Sequence, residues 1–110
     1  MSKKALYLKT KPTLADYQKY IKQMIAERGF QDESIAELLM LLMEECGELA
    51  RACRKFTSLK SDSKRLEKEN IDLELADIFM YILAISNKFE IDLEQAFRKK
   101  EAINKQRIWQ

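Results

Sequence analysis

The stretch that decides the fold is residues 71–86, with the sequence IDLELADIFMYILAIS, in which a few acidic residues interrupt a long apolar run. At about 100° per residue around a helix, Ile71, Ile78 and Ile85 share one face. Glu74 falls in the middle of that face, and Asp77 flanks it at about 60°. The helical period and the absence of Gly and Pro predict a helix over about 69–87 that carries a carboxylate toward the core.

A second helix of the same kind precedes it and is predicted over about 33–56, with Asp32 as its N-cap. On its helical wheel Glu45 stands inside the apolar arc, Glu48 lies on its edge, and Glu44 lies beyond it. The two cysteines are too far apart along one helix for a disulfide and are predicted to be small apolar core residues. The apolar stripe consists of Ile35, Leu38, Leu39, Leu42, Cys46, Leu49 and Cys53.

Two further helices and mostly short connections complete the pattern. They predict an all-α antiparallel four-helix bundle that forms a single domain over residues 1–110. The remaining predicted elements are a basic N-terminal arm at 1–12, a first helix at 14–28 between Thr13 and Gly29, a flexible loop at 57–68 with room for a short helical turn, and a fourth helix at 93–107 capped by Asp92.

Composition excludes several classes of function. The net charge of +2, from 20 basic and 18 acidic residues, is too balanced to favour nucleic-acid binding. No apolar run approaches the roughly 20 residues of a membrane span, so we expect a cytoplasmic protein that binds neither nucleic acid nor membrane. Histidine is absent, which excludes an imidazole base and requires that any metal site be built from oxygen ligands.

The two inward-facing carboxylate pairs indicate a cation site. A buried carboxylate is costly when isolated, and like charges nearby increase the cost. A cation relieves both, and side chains three residues apart on a helix are close enough to share one ion. Oxygen ligands select Mg²⁺ or Mn²⁺, and Mg²⁺ in proteins commonly bridges carboxylates and phosphates. Two alternatives stay open: solvated carboxylates paired with surface cations, and a buried salt bridge from Glu74 to Lys100 or Arg107.

Three short strings resemble those of a known family. Glu44-Glu45-Cys46-Gly47-Glu48 and Glu74-Leu75-Ala76-Asp77 resemble the E-E-x-x-E and E-x-x-D motifs of the MazG-like nucleotide pyrophosphohydrolases, members of the all-α NTP pyrophosphatase superfamily. The segment from Lys100 to Asn104, followed by Arg107, is similar to the K-x-x-x-N segment of that family. The resemblance covers about residues 14–109.

The resemblance implies Mg²⁺-dependent hydrolysis of a nucleoside triphosphate to the monophosphate and pyrophosphate, a house-cleaning role in the nucleotide pool, and a homodimer or homotetramer. It assigns metal binding to Glu45, Glu48, Glu74 and Asp77, catalysis to Glu44 and Glu48, and substrate binding to Lys100, Asn104, Arg107, Phe30 and Lys55. For the substrate-binding residues, solvated side chains or simple helix packing remain open alternatives.

The side of the third helix opposite Glu74 carries Phe79, Met80 and Leu83. A helix that is apolar all round is buried all round, so these residues are predicted to pack at a subunit interface. The competing function is a non-catalytic helical dimeric adaptor that keeps the fold. A di-iron bundle usually needs Glu-x-x-His pairs, so the absence of histidine argues against it. Two roles stay open for Trp109: it covers a dimer contact, or it stacks on a base.

Overall fold

The regular secondary structure of the described residues is entirely helical. The computed structural model describes residues 6–58 and 61–107, and these ranges contain no strand, which confirms the all-α prediction. No helix among these residues is both long and apolar enough to cross a membrane. Trp109 lies outside the described residues. The helices are α1 (Leu14–Arg28), α2 (Ile35–Ser58), α3 (Ser61–Lys88) and α4 (Leu93–Lys105).

Helix α1 begins and ends where the sequence predicts. The Thr13 hydroxyl accepts a hydrogen bond from the Asp16 N–H, and the Asp16 carboxylate accepts one from the Thr13 N–H at 2.8 Å. This reciprocal capping box satisfies two backbone donors that helix geometry leaves unpaired. Gly29 ends the helix in the left-handed conformation at φ 76°, which a residue without Cβ adopts at low cost.

Two predicted boundaries are wrong. Ser34, not Asp32, caps α2, because the Ser34 hydroxyl accepts a hydrogen bond from the Glu37 N–H at 3.1 Å. The flexible loop predicted at 57–68 is helical wherever it is described: α2 continues to Ser58, and α3 already begins at Ser61. The segment has no Gly or Pro, and its Lys, Arg, Glu and Leu residues are good helix formers.

The chain divides into two compact units, and the first consists of Met1–Asp32 and Ser86–Gln110. Gln18 of α1 is its polar centre. Its side-chain amide donates to the Ile91 carbonyl at 2.7 Å and to the Ser86 hydroxyl at 3.0 Å, and its carbonyl accepts from the Leu93 N–H at 3.1 Å. These bonds join α1 to the turn between α3 and α4.

The second unit, Glu33–Ile85, contains α2 and most of α3. Leu38 of α2 and Leu83 of α3 are buried, with Leu83 at 0% exposure. Leu83 is thus buried inside its own chain, so the prediction that it faces a partner subunit is wrong. The core prediction for Cys46 and Cys53 is also wrong, because both are exposed. They lie about 80° and 60° from Leu38 around the helix, off the buried centre of the stripe.

Candidate metal centre

Three carboxylates from two helices converge in the second unit. Glu45 of α2 and Glu74 and Asp77 of α3 each offer one oxygen, and these oxygens all lie within 4.8 Å of one another. Glu45 lies only about 20° from the buried Leu38 around α2, so its side chain is directed inward. Glu74 and Asp77 lie one turn apart on α3 and face the same direction. The structure thus brings together three of the four predicted metal ligands.

The centre brings carboxyl groups close together, and one of their oxygens lacks a donor among the described residues. The Glu74 Oε2 atom is buried and has no hydrogen-bond partner among the described residues. The pKa of Glu45 is raised from its ordinary 4.5 to about 7, mainly by a side-chain hydrogen bond with Glu74. Burial and the charges of Glu74, Asp77 and Glu48 raise it further. Without a cation, this centre therefore favours holding a proton.

A divalent cation fits the donor set. All three groups offer oxygen, which is the ligand type that Mg²⁺ and Mn²⁺ prefer. Oxygens around one Mg²⁺ at about 2.0–2.1 Å lie at most about 4 Å apart, so a small side-chain rotation brings these three within reach. The unpaired Glu74 oxygen would gain a partner in the ion. The arrangement can therefore bind a hard cation and leave coordination positions open for water or phosphate oxygens.

Tyr81 lies beside the same centre, one turn beyond Asp77 on α3. Its phenol is half-buried, and burial is the largest cause that raises its pKa. The negative charges of Glu45, Glu33, Asp77 and Glu44 raise the pKa further. The Tyr81 phenol therefore stays a neutral hydrogen-bond donor near the carboxylates.

Two predicted catalytic residues lie outside the group of three. Glu48 is exposed, but it is near enough that its charge helps to raise the pKa of Glu45. Glu44 is exposed and acts on the Tyr81 phenol through its charge. Glu48 also lines an adjoining pocket together with Glu74. The structure therefore places Glu48 next to the centre and Glu44 at its periphery.

The adjoining pocket, which we call the basic pocket after Arg51 and Lys55, has a volume of about 260 Å³ and includes the predicted substrate residue Lys55. It is also lined by three carboxylates, those of Glu48, Glu67 and Glu74. The residues that sequence reasoning missed are Arg51, Glu67 and Asn70. The helical spacing of these residues is the sequence feature that points to them. Positions 48, 51 and 55 form one stripe along α2, and positions 67, 70 and 74 form one along α3, each at spacings of three and four.

The other predicted substrate residues belong to the first unit. Lys100 and Asn104 lie on α4. This helix ends at Lys105, two residues earlier than predicted, so Arg107 follows its end. Asn104 is half-buried, whereas Lys100 and Arg107 are exposed. Phe30 follows the Gly29 turn and is 50% exposed. Their roles in substrate binding remain predictions.

The sequence of the chain matches a known protein family over most of its length. The model of the MazG nucleotide pyrophosphohydrolase domain matches residues 33–107, which include α2, α3, α4 and both acidic motifs. The chain belongs to this family. The family match therefore covers every carboxylate of the candidate centre and all residues of the basic pocket.

Individual relatives are similar along most of this MazG chain. The chain is 31% identical to mouse dCTP pyrophosphatase 1 over 104 residues, which is 87% of this chain and 59% of that protein. It is 33% identical to the dATP/dGTP diphosphohydrolase of Salmonella phage PMBT28 over 109 residues, which is 99% of this chain and 31% of that protein. The Bacillus subtilis (strain 168) protein YvdC is 29% identical over 91 residues, 77% of this chain and 86% of YvdC.

Proposed function

We propose that this protein is a Mg²⁺-dependent pyrophosphohydrolase that converts nucleoside or deoxynucleoside triphosphates to monophosphates and pyrophosphate. The observation that carries the proposal is the convergence of Glu45, Glu74 and Asp77, with one buried Glu74 oxygen lacking a partner. Membership of the MazG family supports the same reaction, as do the names of two relatives, a dCTP pyrophosphatase and a dATP/dGTP diphosphohydrolase. A role in clearing unwanted nucleotides from the pool follows from that activity.

In this proposal some carboxylates bind the metal ion and another accepts a proton. Glu45, Glu74 and Asp77 hold the ion, with Glu48 as a fourth ligand or as the base beside it. When bound, Mg²⁺ supplies positive charge to the phosphate oxygens and orients water. Glu48 lies next to the ion site without belonging to the group of three, so its carboxylate is the best placed to accept a proton from the attacking water. Glu44, at the periphery, is assigned a supporting role.

Substrate binding is assigned to the polar residues that the family resemblance selects. Lys100, Asn104 and Arg107 are proposed to bind the phosphates or the sugar, and Phe30, half exposed, to stack on the base. Lys55, in the basic pocket, is proposed to bind phosphate. The named relatives act on different bases, so the preferred base is a question for the assay.

Oligomer formation is part of the proposal. Helices α2 and α3 of the second unit expose large apolar side chains, among them Met40 at 66%, Met43 at 63%, Leu73 at 67% and Met80 at 42%. Exposed apolar side chains in this number favour an interaction site, and we propose that a second copy covers them in a homodimer or homotetramer. Analytical ultracentrifugation at micromolar concentration tests this, and a monomer would contradict it.

A panel of canonical and modified NTPs and dNTPs, with pyrophosphate release as the measurement, tests the enzymatic proposal. We expect release that requires Mg²⁺ or Mn²⁺ and stops in EDTA. Glu74→Gln should abolish it, whereas Glu69→Gln, an exposed glutamate on the same helix, should not. If no nucleotide yields pyrophosphate, the enzymatic proposal fails and the adaptor function takes its place.

A further inference from the structure

We infer that Arg51, Lys55 and Asn70 form a subsite for the part of the substrate that leaves as pyrophosphate, an inference that rests on the proposed function. All three line the basic pocket, and Glu74 lines both this pocket and the ion site. A phosphate group bound to the ion can therefore reach these residues without leaving the second unit. Neither Arg51 nor Asn70 belongs to the motifs by which the chain resembles its family.

The charge balance of the site requires such residues. The ion site and its surroundings carry the carboxylates of Glu45, Glu48, Glu74 and Asp77, and a nucleoside triphosphate brings several more negative charges. One divalent cation cannot neutralise both. Arg51 and Lys55 are exposed, line the pocket, and take part in no ion pair with another described residue. Their positive charges are thus available to an anionic ligand.

The donor chemistry also suits phosphate. The Arg51 guanidinium presents a planar set of N–H donors that matches phosphate oxygens, and the Lys55 ammonium acts as a mobile point charge one turn away. The Asn70 amide donates to Glu67 Oε2 at 3.4 Å. Such a long hydrogen bond is weak, so the amide can turn toward a ligand at low cost.

The volume and the acidic neighbours of the pocket narrow the ligand. At about 260 Å³, the pocket is smaller than the roughly 300–1,000 Å³ of sites that enclose a whole drug-sized ligand. This volume suits one part of a nucleotide, such as a pyrophosphate group. Glu48 and Glu67 also line it and repel a phosphate that brings no cation. We thus expect the subsite to bind pyrophosphate together with Mg²⁺ and to bind metal-free pyrophosphate weakly.

The experiment is isothermal titration of pyrophosphate into the full chain, with and without Mg²⁺. Arg51→Gln and Lys55→Gln remove the two positive charges. Arg54→Gln is the matched control, because Arg54 is exposed on the same helix but does not line the pocket. Each test variant should bind Mg²⁺-pyrophosphate roughly tenfold or more weakly, the usual effect of removing a hydrogen bond to a charged group. The control should match the wild type.

Further measurements separate this inference from the proposed function. The thermal shift produced by Mg²⁺ alone should be unchanged in Arg51→Gln and Lys55→Gln, which also shows that the variants fold and keep the ion site. In the hydrolysis assay, their KM for the triphosphate should rise as pyrophosphate affinity falls. If the wild type hydrolyses no nucleotide, the proposed function fails, and the titration still decides the subsite.

Two results would overturn the subsite. One is unchanged Mg²⁺-pyrophosphate affinity in both test variants, whether or not the wild type hydrolyses nucleotides. The other is an equal loss of affinity in Arg54→Gln, which would show a general effect of helix charge and no specific pocket.

Discussion

Glu74→Gln is the substitution that tests the candidate centre most directly. The change keeps the side-chain volume, removes one negative charge, and gives position 74 an amide donor next to the Glu45 carboxylate. At about pH 8 in EDTA, wild-type Glu45 is above its pKa of about 7, and the nearby charges of Glu74 and Asp77 oppose its ionisation. We therefore expect the variant to be more stable than the wild type when no metal is present.

The size of this gain follows from the state of Glu45. Raising its pKa from 4.5 to about 7 corresponds to roughly 3 kcal/mol at about 1.4 kcal/mol per tenfold change. Glu45 is only half-buried, so solvent screening reduces the free energy that is recoverable to about 1 kcal/mol. In a domain of this size that is a rise in Tm of about 4 °C.

Magnesium should reverse the order of the two proteins. Ligand binding to the folded state adds about 2.7 kcal/mol when the free ion is at one hundred times its Kd. The wild type should gain this stability from Mg²⁺, while Glu74→Gln should gain little, because it has lost a carboxylate ligand. Thermal unfolding followed by circular dichroism, in EDTA and across a Mg²⁺ titration, measures both effects.

The matched control is Glu69→Gln, which removes the same charge from an exposed position of α3. It should behave as the wild type in EDTA and in Mg²⁺. The reasoning is refuted if Glu74→Gln is less stable than the wild type in EDTA and still gains the full Mg²⁺ effect. That result would mean that Glu74 is held by protein partners and takes no part in ion binding.

Three other predictions concern pH and stability. In EDTA, the free energy of unfolding should fall as pH rises from about 4.5 to about 7, because folded Glu45 holds its proton above its ordinary pKa. Urea unfolding at several pH values measures this, and a free energy that does not change with pH would contradict it. Thr13→Ala removes the α1 cap and should cost about 1 kcal/mol, with Thr57→Ala as a control. Leu83→Ala should cost roughly 2–5 kcal/mol, since Leu83 is fully buried; an unchanged midpoint would place it on the surface.

The sequence predicted the helix ends correctly where interactions between neighbouring residues determine them. Thr13 with Asp16 and the turn at Gly29 set the ends of α1, and these interactions act over only a few residues. The prediction failed at 57–68, where polar composition resembles a loop although the residues favour a helix. It also failed for Cys46 and Cys53, because small apolar residues at the edge of a stripe are buried or exposed according to packing that periodicity does not resolve.

For the candidate site, too, local helix geometry was predictable from the sequence and the packing between helices was not. Angles around one helix were enough to direct Glu45 and Glu74 inward and to place Asp77 beside Glu74. They were insufficient for Glu48, whose distance from the group depends on how α2 and α3 pack along their lengths. The basic pocket was missed for a related reason: it is made by one stripe from each helix, and a single-helix projection shows neither its partner nor the space between them.

Glu48 connects the two halves of the site. A residue within the group of three would be committed to the ion, whereas Glu48 lies outside that group and lines the basic pocket together with Glu74 and Arg51. A carboxylate held so tightly by an ion has little capacity left to take a proton. In the proposed function, a carboxylate beside the ion site and next to the proposed phosphate subsite would retain that capacity. The separation of Glu48 from the group of three therefore favours a base at this position over a fourth permanent ligand.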